Sequence, residues 1–214
     1  MERVYIIKKK TEAEIANIKW DEAEKADITY YPWDQNGYMP KTEARVVYTE
    51  KGLHVFLISY EKEIMATREN LNDPVYRDSC MEFFFNPNPE NDSRYMNFEY
   101  NPLGTLNLGF GKDRYERIKI AGKSPELFQI HPSVTKKTLD DYSGLFWSVQ
   151  FFIPFDFIEN YYGKLNFKPG MKMTGNFYKC AEDTKYPHFG CWNEVISKAP
   201  DFHRPECFGC LVLE

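Results

Sequence analysis

The stretch Arg77-Asp78-Ser79-Cys80-Met81-Glu82-Phe83-Phe84-Phe85 decides how this chain is read. In an extended strand successive side chains point to opposite faces. Cys80, Glu82 and Phe84 therefore share one face, and Met81, Phe83 and Phe85 the other. The second face is apolar and packs inward. The first carries a carboxylate with an aromatic close by. After the turn-forming run Pro87-Asn88-Pro89-Glu90-Asn91-Asp92-Ser93, the alternation returns in Tyr95-Met96-Asn97-Phe98-Glu99-Tyr100-Asn101. Here Asn97, Glu99 and Asn101 oppose Met96, Phe98 and Tyr100. Paired as a hairpin, the two strands gather Glu82, Asn97, Glu99 and Asn101 on one sheet surface. Such a patch can hydrogen-bond a polyhydroxylated ligand, or it can be a solvated outer face.

The strand-like pattern extends in both directions. Residues 44–49 and 53–60 flank Glu50-Lys51-Gly52, a hairpin signal. Residues 105–110, 129–136, 145–153, 171–180 and 208–213 are further short runs bounded by turn formers. Helical signals are few. Residues 11–26 carry Glu12, Ile15, Ile18 and Glu22 at roughly helical spacing, with Trp20-Asp21 already turning irregular. Residues 155–162 follow Pro154 and precede Gly163, which marks one short helix. Nine or ten short strands separated by turn-rich loops predict an all-β fold. We expect an antiparallel, jelly-roll-like β-sandwich with one or two short helices. No repeat, linker or low-complexity tract divides the chain, so residues 1–214 read as a single domain.

Composition narrows the function classes. The chain has 214 residues, and 17% of them are aromatic. Its net charge is −5 and it has no block of Lys and Arg, which argues against a nucleic-acid partner. No apolar run approaches the ~18 residues of a membrane span. Residues 1–10 lack the features of a secretory leader, so the chain as written reads as cytoplasmic. A chain whose leader had been removed would read the same and be extracellular. Five cysteines, an odd number, do not suggest a disulfide framework.

The C-terminal third concentrates unusual residues: Gly175-Asn176-Phe177-Tyr178-Lys179-Cys180, Tyr186-Pro187-His188-Phe189-Gly190-Cys191-Trp192 and Asp201-Phe202-His203-Arg204-Pro205-Glu206-Cys207-Phe208-Gly209. Loops with rigid aromatics and a few donors suit ligand binding, and equally suit a corner packed under a sandwich. Three chemical alternatives remain. A glycoside hydrolase needs two carboxylates, and Glu82 and Glu99 are available. A nucleophilic Cys80 with His188 or His203 is a weak signal. A zinc site from Cys180, Cys191, Cys207 and Cys210 with His188 and His203 lacks its second Cys-x-x-Cys. A protein-interaction sandwich without sugar binding fits the aromatic content too.

These residues together resemble the family 9 carbohydrate-binding modules, in a family 9-like, stand-alone branch. The resemblance rests on Trp20, Thr42-Glu43-Ala44-Arg45-Val46, Asp78-Ser79-Cys80-Met81-Glu82-Phe83-Phe84 and Asn97-Phe98-Glu99-Tyr100-Asn101 with Gly104. It continues through Trp147, Ile153-Pro154, residues 175–180, Pro187-His188, Trp192, Pro200 to Pro205 and Phe208-Gly209. Most specific are Asp-Ser-x-x-Glu and the terminal Pro-x-x-Phe-Gly. The resemblance implies a β-sandwich that binds a mono- or oligosaccharide without catalysis and without a cofactor. Structural calcium occurs in some members, with no ligands assignable here. Two aromatics sandwich a terminal sugar ring in xylanase-linked members. They would correspond to Tyr76 and Phe202, with Trp192 competing for the second place. Both are Trp in those members, so the substitution of Tyr and Phe is a departure. Glu82 would sit at the ligand-binding carboxylate, and Asn97 where a basic residue can stand. Stacking on sugar C–H faces by Tyr76, Phe202 and Trp192 is then expected. Hydroxyl contacts are expected from Glu82, Asn97, Glu99, Asn176, Lys179 and Arg204. The sequence leaves the oligomeric state open.

Overall fold

A computed structural model of the protein describes residues 3–121 and 125–214. Its strands are β1 (Val4–Lys9), β2 (Ala26–Ile28), β3 (Lys41–Tyr48), β4 (Gly52–Tyr60), β5 (Cys80–Asn86), β6 (Tyr95–Tyr100) and β7 (Leu106–Gly111). They continue with β8 (Ile118–Lys119), β9 (His131–Pro132), β10 (Trp147–Pro154), β11 (Lys172–Ala181), β12 (His188–Cys191) and β13 (Gly209–Leu213). Three helices, α1 (Glu12–Ala16), α2 (Lys136–Leu139) and α3 (Phe155–Tyr162), sit between them.

The strands form two layers that share β1. One layer runs β8-β7-β6-β5-β11-β13-β1, with β12 also on β11; the other runs β1-β3-β4-β10-β9, with β2 on β3. Residues 4–7 of β1 lie parallel to residues 210–213 of β13, and Lys8 and Lys9 lie parallel to Val47 and Tyr48 of β3. Tyr5 pins this crossing. Its hydroxyl donates to the Glu24 carbonyl at 2.6 Å and accepts from the Val46 amide at 2.8 Å. The layers touch again where Tyr30 bridges Cys191. The sandwich is therefore mixed at β1 and antiparallel elsewhere, which modifies the purely antiparallel expectation.

The core fills the space between the layers. Met81, Phe83 and Phe85 of β5 point inward, as the alternation requires, and are fully buried. Phe98 of β6 stacks on Phe151 of β10 at 6.0 Å, and Phe83 stacks on Phe177 of β11 at 4.8 Å. α3 plugs one side by setting Phe157 edge-on to Phe98. Each such ring stabilises the fold by about 1.5–3 kcal/mol relative to an exposed one. α3 follows Pro154 and ends at Gly163 with φ +78°, a left-handed position that favours glycine.

Residues 129–136 pair only at His131 and Pro132, and α2 begins at Lys136 after a Thr135–Thr138 capping box. α1 is likewise set by a Thr11–Glu14 capping box. The sequence signals allow for one or two helices, and the short capped α2 is the addition.

Candidate functional site

The outer face of β5, β6 and β11 is not solvated. A second apolar cluster covers it, including Val75, Phe84, Tyr95, Tyr178, Phe202 and Phe208. Under that cover Glu82, Asn97 and Glu99 are each at most 2% exposed. The solvated-face alternative is therefore set aside. The strand register places Glu82 directly opposite Glu99, and Glu99 opposite Asn107. Asn97 donates to Glu99 Oε1 at 2.8 Å, Asn107 donates to Glu99 Oε2 at 2.6 Å, and Lys119 donates to Asn107 Oδ1. Gly109 lies beneath this ladder because a Cβ there would stand 2.5 Å from Asn97 Oδ1.

A cleft of about 210 Å³ opens beside this polar ladder. Glu82, Glu99 and Cys180 form its strand-borne part. Tyr76, Phe189 and Phe202 supply aromatic surface, and Arg114, Arg117, Glu182 and Asp201 supply charge. The Asp78-Ser79 pair explains how Tyr76 arrives there. Asp78 is fully buried and accepts from the amides of Thr67 and Arg68, both at 2.9 Å, and from Asn101 Nδ2 at 2.9 Å. Ser79 Oγ accepts from the Met65 amide at 3.1 Å. These bonds fasten residues 65–68 to the start of β5 and fix the single helical turn Val75–Arg77 that carries Tyr76. The most specific motif in the sequence is thus a loop fastener that positions an aromatic.

Charges in the cleft are largely paired. Arg114 bridges Asp201 at 3.0 Å, and Arg117 lies 3.7 Å from Glu99. Arg117 also donates to the ring of His203, whose other nitrogen meets the Tyr95 hydroxyl at 2.7 Å. Burial, reinforced by Arg117 and Arg114, lowers the His203 pKa to about 2, so the ring is neutral. Burial, with the Glu99 charge next, raises Glu82 to about 8. Glu82 is therefore an uncharged carboxyl at neutral pH, able both to donate and to accept a hydrogen bond.

Five of the nine residues singled out from the sequence are at or against the cleft. Tyr76, Glu82, Glu99 and Phe202 line it, and Asn97 holds Glu99. The structure does not bring the other four to it. Lys179 shares the inward face of β11 with Phe177, is fully buried, and pairs with Glu61 at 3.2 Å. Asn176 is spent on the backbone, donating to the Asn193 carbonyl and accepting from the Asn193 amide, both at 2.8 Å. Trp192 turns into the core, edge-on to Tyr5 and Phe177. Arg204 pairs on the surface with Asp201 and Glu206. Phe202 lines the cleft but stacks on Tyr178 at 4.2 Å, so one ring face is already covered. The other cleft residues, Arg114, Arg117, Cys180, Glu182, Phe189, Pro200, Asp201 and His203, are not among the nine.

All five cysteines are reduced. The proposed zinc set does not converge. Among the described residues, the one group of three metal-capable side chains within 4.8 Å of one another is Cys80, Glu82 and Cys180. Its two sulfurs do not fit calcium, a hard ion that takes about 6–8 oxygen ligands.

The stability profile with pH follows from these groups. Glu82 binds its proton more tightly folded than unfolded. Its contribution is present below the ordinary value of 4.5 and is lost as pH rises through about 8. His188 and His203 bind protons less tightly folded, at about 3 and about 2 against 6.5. Their contribution is present above 6.5 and is lost as pH falls. The melting temperature is therefore expected to peak at roughly pH 6–7. Glu82→Gln should flatten the alkaline limb and steepen the acid limb above about pH 4.5; an alkaline limb unchanged by that substitution contradicts the assignment.

The fold agrees with that of known proteins. The profile of carbohydrate-binding family 9 matches residues 12–213. The chain belongs to that family of non-catalytic carbohydrate-binding modules. A protein from Bacteroides uniformis assigned as carbohydrate-binding is 25% identical, superposes with a TM-score of 0.83 and is matched over 100% of both chains. A family 9 module from Caldicellulosiruptor kristjanssonii in complex with cellotriose is 14% identical with a TM-score of 0.63, matched over 99% of this chain and 94% of its own. The glucose complex of a family 9 module from that organism gives 13%, 0.66, 99% and 96%. No curated relative matches the chain.

Proposed function

We propose that the cleft beside Glu82 is the carbohydrate site and that it holds one sugar ring. The observation that carries this reading is the juxtaposition of a half-buried tyrosine, Tyr76, with the buried carboxyls of Glu82 and Glu99 in one small cleft. A sugar offers an apolar C–H face to the ring and hydroxyls to the carboxyls. Ligand pockets usually run to about 300–1,000 Å³, and a smaller cleft suits a single ring, with any further units lying outside. Paired arginines and a neutral Glu82 favour an uncharged sugar. The family's complexes with glucose and cellotriose support this choice of ligand.

The raised proton affinity of Glu82 beside Glu99 also resembles a hydrolase acid–nucleophile pair. Against it, Asn97 and Asn107 each donate to one Glu99 oxygen, which damps its nucleophilicity while leaving a lone pair on each oxygen to accept a sugar hydroxyl. We therefore read the site as non-catalytic.

Calorimetric titration with glucose, xylose, galactose, cellobiose and xylobiose tests this function. Binding of at least one of them, weakened in Glu82→Gln, is expected. Folded protein that binds none contradicts the reading. Turnover of an aryl glycoside that is lost in Glu82→Gln would replace it with the hydrolase.

A further inference from the structure

We propose that Cys80, Glu82 and Cys180 form a binding site for a thiophilic divalent cation, zinc or a chemical equivalent, at the floor of the cleft. The three donors are brought together by strand register. Cys80 on β5 is directly opposite Cys180 on β11, and Glu82 lies two residues along the same face. Glu82 Oε1 is 3.1 Å from Cys180 Sγ and 3.7 Å from Cys80 Sγ. Metal–ligand bonds of about 2.0–2.3 Å place the donors of a tetrahedral ion about 3.5–3.8 Å apart, so small side-chain shifts seat an ion here.

A second observation points to a ligand. Glu82 is 98% buried, counting from its 2% exposure, and among the described residues the side-chain donors bonded to it are the two thiols. A thiol is a weak donor, so a buried carboxyl held this way is poorly satisfied. A cation would satisfy it far better. The cleft provides the route, since Glu82 and Cys180 both line it, and leaves room for water or a hydroxyl at a fourth position.

The chemistry balances. Binding replaces three protons, two from thiols and one from the Glu82 carboxyl, which pass to solvent. Three anionic ligands on a doubly charged ion leave one negative charge beside the Glu99 carboxylate, and Lys179 and Arg117, each already paired with a carboxylate, offset part of it. Burial raises the Cys80 thiol to about 12, so affinity should rise with pH as the protons become easier to displace. Two sulfurs and a carboxylate select zinc-like ions over calcium or magnesium. The inference stands independently of the sugar reading, because it needs no sugar in the cleft.

The test uses the reduced full chain with Zn²⁺ alone and with Co²⁺ as a spectroscopic probe. We expect stoichiometric Zn²⁺ retained after desalting and a thiolate-to-Co²⁺ charge-transfer band. Zn²⁺ affinity should fall by about 100-fold or more in Cys180→Ser and by about tenfold or more in Glu82→Gln. Cys207→Ser should leave it unchanged. Melting curves identify any variant that fails to fold, and Glu82→Gln, close to isosteric, then carries the comparison. Folded, reduced wild type that binds no Zn²⁺, a missing thiolate band, or an affinity unchanged in both Cys180→Ser and Glu82→Gln overturns the proposal. A sugar titration of the metal-free protein distinguishes failure of the metal site from failure of the sugar site.

Discussion

Lys179→Met is expected to lower the unfolding free energy by about 3–5 kcal/mol, the usual cost of leaving a buried charge without its partner. Lys179 is fully buried, and its Nζ stands 3.2 Å from Glu61 Oε1 and donates to the Cys180 carbonyl at 2.8 Å. Glu61 is buried too, and its other oxygen accepts from Trp147 Nε1. Removing the ammonium leaves the Glu61 charge facing His188 Nε2 at 3.7 Å, a ring that burial, and after it the Lys179 charge, keep neutral in the wild type. Burial still opposes protonation of that ring in the variant, so most of the Glu61 charge is left uncompensated. The double variant Lys179→Met with Glu61→Gln removes both charges and should recover most of the loss. Chemical denaturation of the three proteins measures this. A single variant as stable as wild type would show that the pair is not buried as described. Sugar affinity of any folded fraction should be unchanged, because Lys179 does not line the cleft.

The second large effect is on binding. Tyr76→Ala should weaken sugar affinity by about tenfold or more, since it removes the aromatic surface on which a ring would stack. The same substitution should cost little stability. The Tyr76 side chain is only half-buried, and the structural bonds of this residue come from its backbone carbonyl, which accepts from the Glu182 amide and from Cys180 Sγ. Phe202→Ala is a poorer probe. It would remove a ring stacked on Tyr178 and tilted against Trp33, so lost packing and lost binding would be confounded. Calorimetry with the tightest sugar, beside melting curves, separates the two effects for Tyr76. Affinity unchanged in Tyr76→Ala would place the sugar elsewhere.

The strands around the site are legible because two-residue alternation is strong in residues 80–85 and 95–101. It assigns Met81, Phe83 and Phe85 inward and Glu82, Asn97 and Glu99 together on the other face. The same rule, carried across to β11, separates Lys179 from Asn176. Phe177 is core, so Lys179 must point inward with it. A binding role for Lys179 treats a charged residue as outward, a rule that a buried ion pair overrides. Asn176 and Trp192 cannot be placed from local pattern. Their roles depend on the chain after β12 folding back, where Asn193 meets Asn176 and Trp192 packs on Tyr5.

β1 escapes the sequence reading for a different reason. Val4-Tyr5-Ile6-Ile7 enters that reading only as a possible leader, although Tyr5 and Ile7 are the buried pair of an alternating strand. Its parallel pairing joins residues near both ends of the chain and leaves no local signal. Arg114 and Arg117 are equally hidden, in a charged loop between β7 and β8. Their place at the cleft is set by partners far along the chain, Asp201 and His203.

The most direct test of the central claim is amide chemical-shift mapping during titration of isotope-labelled protein with glucose. The account expects the largest shifts in the loops and strands around Tyr76, Glu99, Glu182, Phe189 and Phe202, saturating together with one affinity. Shifts concentrated on the opposite layer, around β3, β4 and β10, would contradict it.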